Sequence, residues 1–103
     1  MSVAVSVNGV RVRLTVERWQ HIVVGHPEMA PERARVVQSL ERPDLIQAGD
    51  FGELLAVRHW PATALGETYM VVAYREVDRA DGFVLTAYLT RRPSRSRSVV
   101  WKR

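Results

Sequence analysis

The chain contains no cysteine, which excludes disulfides and thiolate metal sites and is compatible with a cytoplasmic protein. No apolar run approaches the roughly 18 residues needed to span a bilayer. The N-terminal "MSVAVSVNGV" alternates and then turns at Asn-Gly, so it does not read as a signal peptide. HExxH and paired i, i+4 histidines are missing, so no metal is expected at the three histidines, His21, His26 and His59. A Gly-rich phosphate loop, a nucleophile elbow and a dinucleotide fingerprint are also missing. These absences disfavour nucleotide-cofactor chemistry and serine hydrolysis, and no cofactor is expected.

Acids are absent from the last thirteen residues, which hold six cations: Arg91, Arg92, Arg95, Arg97, Lys102 and Arg103. Residues 1–90 hold nine cations against eleven acids, so the formal net charge of +4 is a property of the C-terminal segment. Such a run is either a solvated tail or a phosphate-binding surface. Fourteen of the fifteen cations are arginine. The guanidinium fork matches phosphate geometry, although a GC-rich genome gives the same bias.

With 103 residues, 47% hydrophobic and 25% charged, the chain supports one domain over 1–103 with a modest core. Residues 1–16 read as a hairpin lead-in. Val3, Val5 and Val7 alternate up to Asn8-Gly9, and Val10, Val12, Leu14 and Val16 alternate away from it. A two-residue loop then sets Val7 against Val10, Val5 against Val12 and Val3 against Leu14, with all six on one face. Thr15 can cap a helix over 16–25 that Gly25 and Pro27 stop, with Val16, Trp19, Ile22 and Val23 as its buried stripe. A second helix opens with Pro31 and runs to about Arg42, burying Val36, Val37 and Leu40, with Arg33 and Arg35 facing out. Strands follow at "DLIQA", "ELLAVRHW", "TYMVVAYREV" and "FVLTAYLTR", with "SVVWK" as a final candidate. This order argues for an α+β fold, an N-terminal β-hairpin and two helices packed on an antiparallel β-sheet.

The residues able to carry chemistry lie on the first helix, at the corner after it and on the strands. On the first helix, His21 points away from the buried stripe, and Arg18 shares its ridge. The pair either binds and protonates a phosphoryl oxygen or is an ordinary surface. His26 in "GHPE" either contacts the last helical carbonyls or serves as a general acid with Glu28 beside it. In the last long strand, Phe83, Leu85, Ala87 and Leu89 share one face, and Thr86, Tyr88 and Thr90 the other. A hydroxyl row is a common solvated strand face and also a fair surface for phosphate and ribose oxygens. Arg58, a cation among apolar strand residues, is an anion-site candidate unless Glu53 or Glu67 neutralises it. Metal-independent acid–base chemistry with cationic stabilisation is the set that cleavage of RNA by its own 2′-hydroxyl requires.

The combination "RWQHIVVGHPEM", "LERPDLI" and "VLTAYLTR" resembles the phage-associated branch of the barnase–EndoU–colicin–RelE-like nuclease superfamily, over roughly residues 17 to 101. That resemblance implies helices on one face of an antiparallel sheet, with the active site on the open sheet face and at the helix edge. It implies a metal-independent ribonuclease, often a toxin, with RNA as substrate and an antitoxin or immunity protein as partner. By motif it points to His21 in "WQHI", His26 in "GHPE", Arg58 in "VRHW", and Thr86 and Tyr88 in "LTAY". Arg91 and Arg92 are implied as further phosphate ligands. Barnase-like relatives use a strand glutamate and a late histidine. This chain has no histidine after His59 and offers Thr and Tyr in the late strand.

The sequence thus predicts a cytoplasmic endoribonuclease cleaving transfer or messenger RNA, with Arg18, Arg91 and Arg92 on phosphate. Two other readings stand beside it. One is a non-catalytic nucleic-acid- or protein-binding module on the same fold. The other is a structural subunit whose valine hairpin pairs across a dimer.

Overall fold

The computed structural model describes residues 1–103. Two short strands, β1 (Ser2–Val5) and β2 (Arg11–Leu14), lead into helix α1 (Val16–Gly25). A 3-10 turn (Pro27–Met29) precedes helix α2 (Arg33–Glu41). Five strands follow: β3 (Leu45–Ala48), β4 (Leu54–Thr63), β5 (Gly66–Glu76), β6 (Gly82–Thr90) and β7 (Val99–Lys102). They form one seven-stranded sheet in the order β1-β2-β6-β5-β4-β3-β7. All neighbours are antiparallel except β2 and β6, which run parallel, a pairing that the local sequence pattern did not announce. The α+β class with helices on one sheet face is as the sequence predicts. No helix is long and apolar enough to cross a membrane.

The main core lies between the helices and the sheet. Ile22 of α1, Met29 of the corner, and Val36 and Leu40 of α2 meet Val12, Leu14, Ala56, Met70, Val72, Tyr74, Val84 and Ala87. A second, smaller cluster of Leu55, Val57, Val71 and Ala73 occupies the opposite face, flanked by Leu45, Tyr69, Leu85 and Tyr88. Strand β5 is therefore buried on both sides, which is why "MVVAY" shows no alternation.

The first hairpin forms, but its register is one residue off the expected one. Ala4 opposes Val12 and Val5 opposes Arg11. Ala4 and Ser6 face the core beside Val10, Val12 and Leu14, while Val5 is exposed. A two-residue turn with two left-handed positions would need positive φ at Asn8, and only Gly9 has it (φ 79°). The turn is instead three residues long. Gly9 N–H donates to Ser6 O, Ser6 N–H to Val10 O, and Val10 N–H also to the Ser6 hydroxyl. That hydroxyl donates in turn to Glu76 on β5, and Asn8 reaches the same carboxylate at 2.8 Å.

The second helix also starts later than expected. Pro31 lies in the turn after the 3-10 segment, and α2 begins at Arg33 behind the buried Glu32. Glu32 accepts from Arg35 at 3.0 Å and from Ala64 N–H at 3.1 Å, tying the start of α2 to the β4–β5 turn. Arg33 and Arg35 are not simply outward-facing. Their guanidinium groups lie 6.0 and 5.4 Å from the rings of Trp19 and Trp60. Val16, expected in the buried stripe of α1, is 46% exposed.

A bulge in β6 corrects the expected face assignment. Ala73 pairs with Thr86 but Tyr74 pairs with Val84, so Leu85 is the extra residue. Val84, Ala87 and Leu89 face the helices, whereas Leu85 packs with the opposite cluster. Phe83, paired with Arg75, lies one residue before Val84 and so points away from the helix-side core. Gly82 starts this strand because a Cβ there would lie 2.4 Å from the Arg75 carbonyl oxygen. Arg13 of β2 grips both carboxylate oxygens of Asp81 at 2.8 and 2.9 Å, which raises its pKa and fixes the short parallel pairing.

Tyr74 is fully buried, and its hydroxyl has no hydrogen-bond partner. Burial first, and the Glu76 charge second, hold this phenol above its ordinary range. An unpaired buried hydroxyl costs on the order of 1–3 kcal/mol, so Tyr74→Phe should leave stability at pH 7 unchanged or raise it by about 1 kcal/mol. The sign of the pH effect follows. In the unfolded chain the phenol ionises near pH 10, while in the folded protein it stays neutral, so stability present below about pH 10 is lost as the pH rises further. Urea denaturation at neutral and alkaline pH should show that Tyr74→Phe softens this alkaline loss.

Candidate active site at the helix corner and open sheet face

The first helix places its polar residues by its two ends. The Thr15 hydroxyl accepts from Arg18 N–H at 3.1 Å, closing the first turn as expected of an N-cap. Arg18 and His21 then share a ridge, with His21 exposed and Ile22 buried. At the other end, His26 N–H donates to Ile22 O at 2.7 Å, and its backbone leaves the helical region (φ −137°). The helix is therefore capped by the main chain of His26, and its imidazole is free for another role. Nδ1 lies 3.6 Å from Glu28 Oε1, and the ring sits 6.0 Å from the ring of Tyr88, tilted by 33°. Buried Met29 and the rigid Pro27 hold this corner in place.

The sheet brings the late strand to this corner. β2 pairs with β6 only at Val12–Gly82 and Arg13–Phe83. The outer edge of β6 beyond that point has no strand beside it, and α1 with its corner runs alongside. Thr86 and Tyr88 lie on the face away from the helices, by alternation with the buried Ala87 and Leu89, and the bulge adds Leu85 to that face. The result is a groove of about 480 Å³ lined by Arg18, His21, Gly25, His26, Leu85 and Thr86. Tyr88 lies outside this lining, its ring 6.0 Å from that of His26. Arg18, His21, His26 and Thr86 thus meet in one groove, with Tyr88 beside His26, although the two sets are far apart in sequence.

Arg91 and Arg92 do not enter this groove. They begin the segment 91–98, which must pass from β6 to β7 across β5, β4 and β3, roughly 20 Å at ordinary strand spacing. The helices occupy one face, and the segment crosses the other. Buried Gln47 donates to Ser94 O at 2.8 Å, Arg97 pairs with Asp50 at 2.9 Å, and Ala48 N–H donates to Ser98 O at 2.9 Å. Beside this strap lies a cleft of about 800 Å³ bordered by Arg91, Arg92 and Arg95, with Tyr69, Leu45 and Val57 on the sheet. The basic C-terminal segment is therefore an ordered part of the fold. Tyr69 and Gln47 were not singled out from the sequence, and Arg95 entered only as one cation of the basic C-terminal segment. Tyr69 shares parity with Val71 and Ala73, but burial of β5 on both faces hides which parity faces out.

Arg58 lies elsewhere. It pairs across the sheet with Met70 and so faces the helix side. Its guanidinium stacks 4.3 Å from the centre of the Trp60 ring and donates to Arg42 O at 3.4 Å, by the C-terminus of α2. Neither Glu53 nor Glu67 neutralises it. Glu53 accepts from Phe51 N–H, and Glu67 lies 3.6 Å from His59 Nε2. The expectation that Arg58 joins the histidines on one phosphate is thus not met, because its strand parity directs it under the helices.

A histidine–carboxylate pair, a second imidazole, a guanidinium and two hydroxyls around one groove can hold an anion and move protons at its oxygens. No protein-family model, curated protein or solved structure matches the chain. The side chains of His21 and His26 are exposed and half-exposed, and the helix end is closed by the backbone. His21→Ala and His26→Ala should therefore each change unfolding free energy by less than about 1 kcal/mol, measured by urea denaturation at pH 7.

Proposed function

We propose that the chain is a metal-independent endoribonuclease acting by attack of a ribose 2′-hydroxyl on the adjacent phosphodiester. The observation that carries this reading is the convergence of Arg18, His21, His26 and Thr86 in one groove, with Tyr88 beside His26. In the proposed reaction the scissile phosphate lies against the Arg18 guanidinium, which stabilises charge gathering on the phosphoryl oxygens. His26, oriented by Glu28, accepts the proton of the 2′-hydroxyl, and O2′ forms its bond to phosphorus. His21 donates a proton to the departing 5′-oxygen as its bond to phosphorus breaks. The products are a 2′,3′-cyclic phosphate and a free 5′-hydroxyl. Thr86 and Tyr88 hydroxyls hold the ribose and phosphate oxygens in line. Transfer or messenger RNA in the cytoplasm is the proposed substrate, and an acidic antitoxin or immunity protein covering the basic face is the proposed partner.

The alternative is a nucleic-acid-binding module without chemistry, in which the strap arginines carry phosphate contacts and the histidines do nothing. Cleavage of total cellular RNA in excess EDTA separates the two. The wild-type chain should generate 2′,3′-cyclic ends, and His26→Ala should slow the reaction by about 10²–10⁴-fold, the usual contribution of general acid–base catalysis. His21→Ala should fall in the same range, whereas Arg58→Ala, on the other face, should remain within about threefold of wild type. RNA left intact by the folded wild-type chain would exclude the ribonuclease reading for free RNA and leave the binding module.

A further inference from the structure

The cleft beside the strap is built for a different task from the groove. Its floor is apolar and aromatic, made by Leu45, Val57 and the half-buried Tyr69, and its rim carries Arg91, Arg92 and Arg95. Arg91 is committed to the Leu65 carbonyl at 3.1 Å. Arg92 and Arg95 have no acidic partner among the ion pairs of the molecule. The carboxylate in the cleft, Asp44, already accepts from His59 N–H at 2.8 Å and lies 3.4 Å from an Arg103 guanidinium nitrogen. The strap is also anchored, since the Gln47 amide that holds Ser94 is 5% exposed. Two guanidinium groups without an acidic partner are thus presented at the edge of a surface made by Leu45, Val57 and Tyr69, whose ring also meets the His59 ring edge-on at 5.2 Å.

We propose that this cleft is a subsite for unpaired nucleic acid, in which one base stacks on Tyr69 while the flanking phosphates rest on Arg92 and Arg95. This extends the nucleic-acid reading above and names its substrate class as single-stranded. A base inside a duplex already has both faces covered by its neighbours and cannot lie on the Tyr69 ring. An unpaired base can, and aromatic stacking of this kind is indifferent to sequence. An acidic peptide would use the arginines and leave the aromatic floor without a purpose. Tyr69 lies opposite Thr90, and Tyr88 lies two residues back on the same strand. Such diagonal neighbours are roughly 7–8 Å apart, so a strand leaving Tyr69 reaches Tyr88 and the histidine groove. In this arrangement Tyr69, Arg92 and Arg95 are substrate-positioning residues.

Fluorescence anisotropy with the full chain tests this. The protein carries His26→Ala so that the probe stays whole, and the probes are a labelled single-stranded RNA of about ten nucleotides, the same strand annealed to its complement, and a labelled polyglutamate peptide. The single strand should bind tightest. Tyr69→Leu, which keeps the apolar packing, should weaken it about tenfold without altering the salt dependence, and Tyr69→Phe should restore it. Arg92→Ala with Arg95→Ala should reduce the slope of log affinity against log salt by about 1.4. Duplex or polyglutamate binding as tightly as the single strand would overturn the proposal, as would Tyr69→Leu staying within about twofold of its parent. Absence of cleavage by the wild-type chain would remove the ribonuclease reading and leave these binding results to stand or fall alone.

Discussion

The antiparallel pairing of β5 with β6 is the constraint from which the rest of the molecule follows. It supplies Met70, Val72, Tyr74, Val84, Ala87 and Leu89 to the helix-side core, and Val71, Ala73, Leu85 and Tyr88 to the opposite cluster. One irregularity within it, the extra residue Leu85, reverses the facing of everything upstream in β6 relative to everything downstream. Val84 and Ala87 can then both be buried under the helices although they differ in parity. Leu85 joins Thr86 and Tyr88 on the other face, near the corner of α1. The same strand ends at Thr90 and launches the arginine strap. In a perfectly regular β6 Thr86 and Tyr88 would still face away from Ala87 and Leu89, but Leu85 and Phe83 would take the place of Val84 under the helices.

The charge distribution acquires a shape through this topology. The acids outnumber the cations in residues 1–90, and several are spent on structure. Asp81 holds Arg13, Glu76 holds the first hairpin turn, and Glu32 holds the start of α2. The surplus cations arrive on one segment, and the sheet order forces that segment across the face without helices. Positive potential is therefore concentrated on the face that also exposes aromatic rings, where it can both steer an anionic strand and hold it. An unanchored arginine tail of the same composition would lose conformational entropy on binding. Gln47, Asp50 and Ala48 meet part of that cost during folding.

How much of this was legible depended on whether the information was local. The boundaries of α1, its Thr15 cap and its stop at Gly25 lie in the sequence and appear as read. The union of Arg18 with His21 follows from helical spacing alone, and the α+β class from the order of elements. The first hairpin failed at a point where two turn types share the Asn-Gly signature. The choice between them is made by the Ser6 hydroxyl, which bonds Val10 locally and Glu76 across the sheet. No pattern within sixteen residues contains that contact. Phe83 was misplaced for a similar reason, since the bulge exists only in relation to β5. Arg58 was rightly seen as a cation that needs a partner, but its partner is a π face and a helix carbonyl, not a carboxylate or a ligand. Pro31 marked a turn and not a helix start, because buried Glu32 and the 3-10 segment before it use those residues to seat α2.

The division between groove and cleft has a mechanistic logic. In the proposed reaction the residues that would move protons must be positioned to within fractions of an ångström, and His21 and His26 sit on a capped helix and a proline corner, rigid elements of the fold. Residues that hold a substrate backbone tolerate more latitude, and they sit on a strap pinned at intervals. Under the proposed function, binding energy gathered along the strap would draw a phosphodiester into the groove, so that remote contacts lower the barrier at the reacting centre. Tyr88 is where the two halves join. Its ring lies against His26 on one side and borders the Ser94–Ser98 part of the strap on the other.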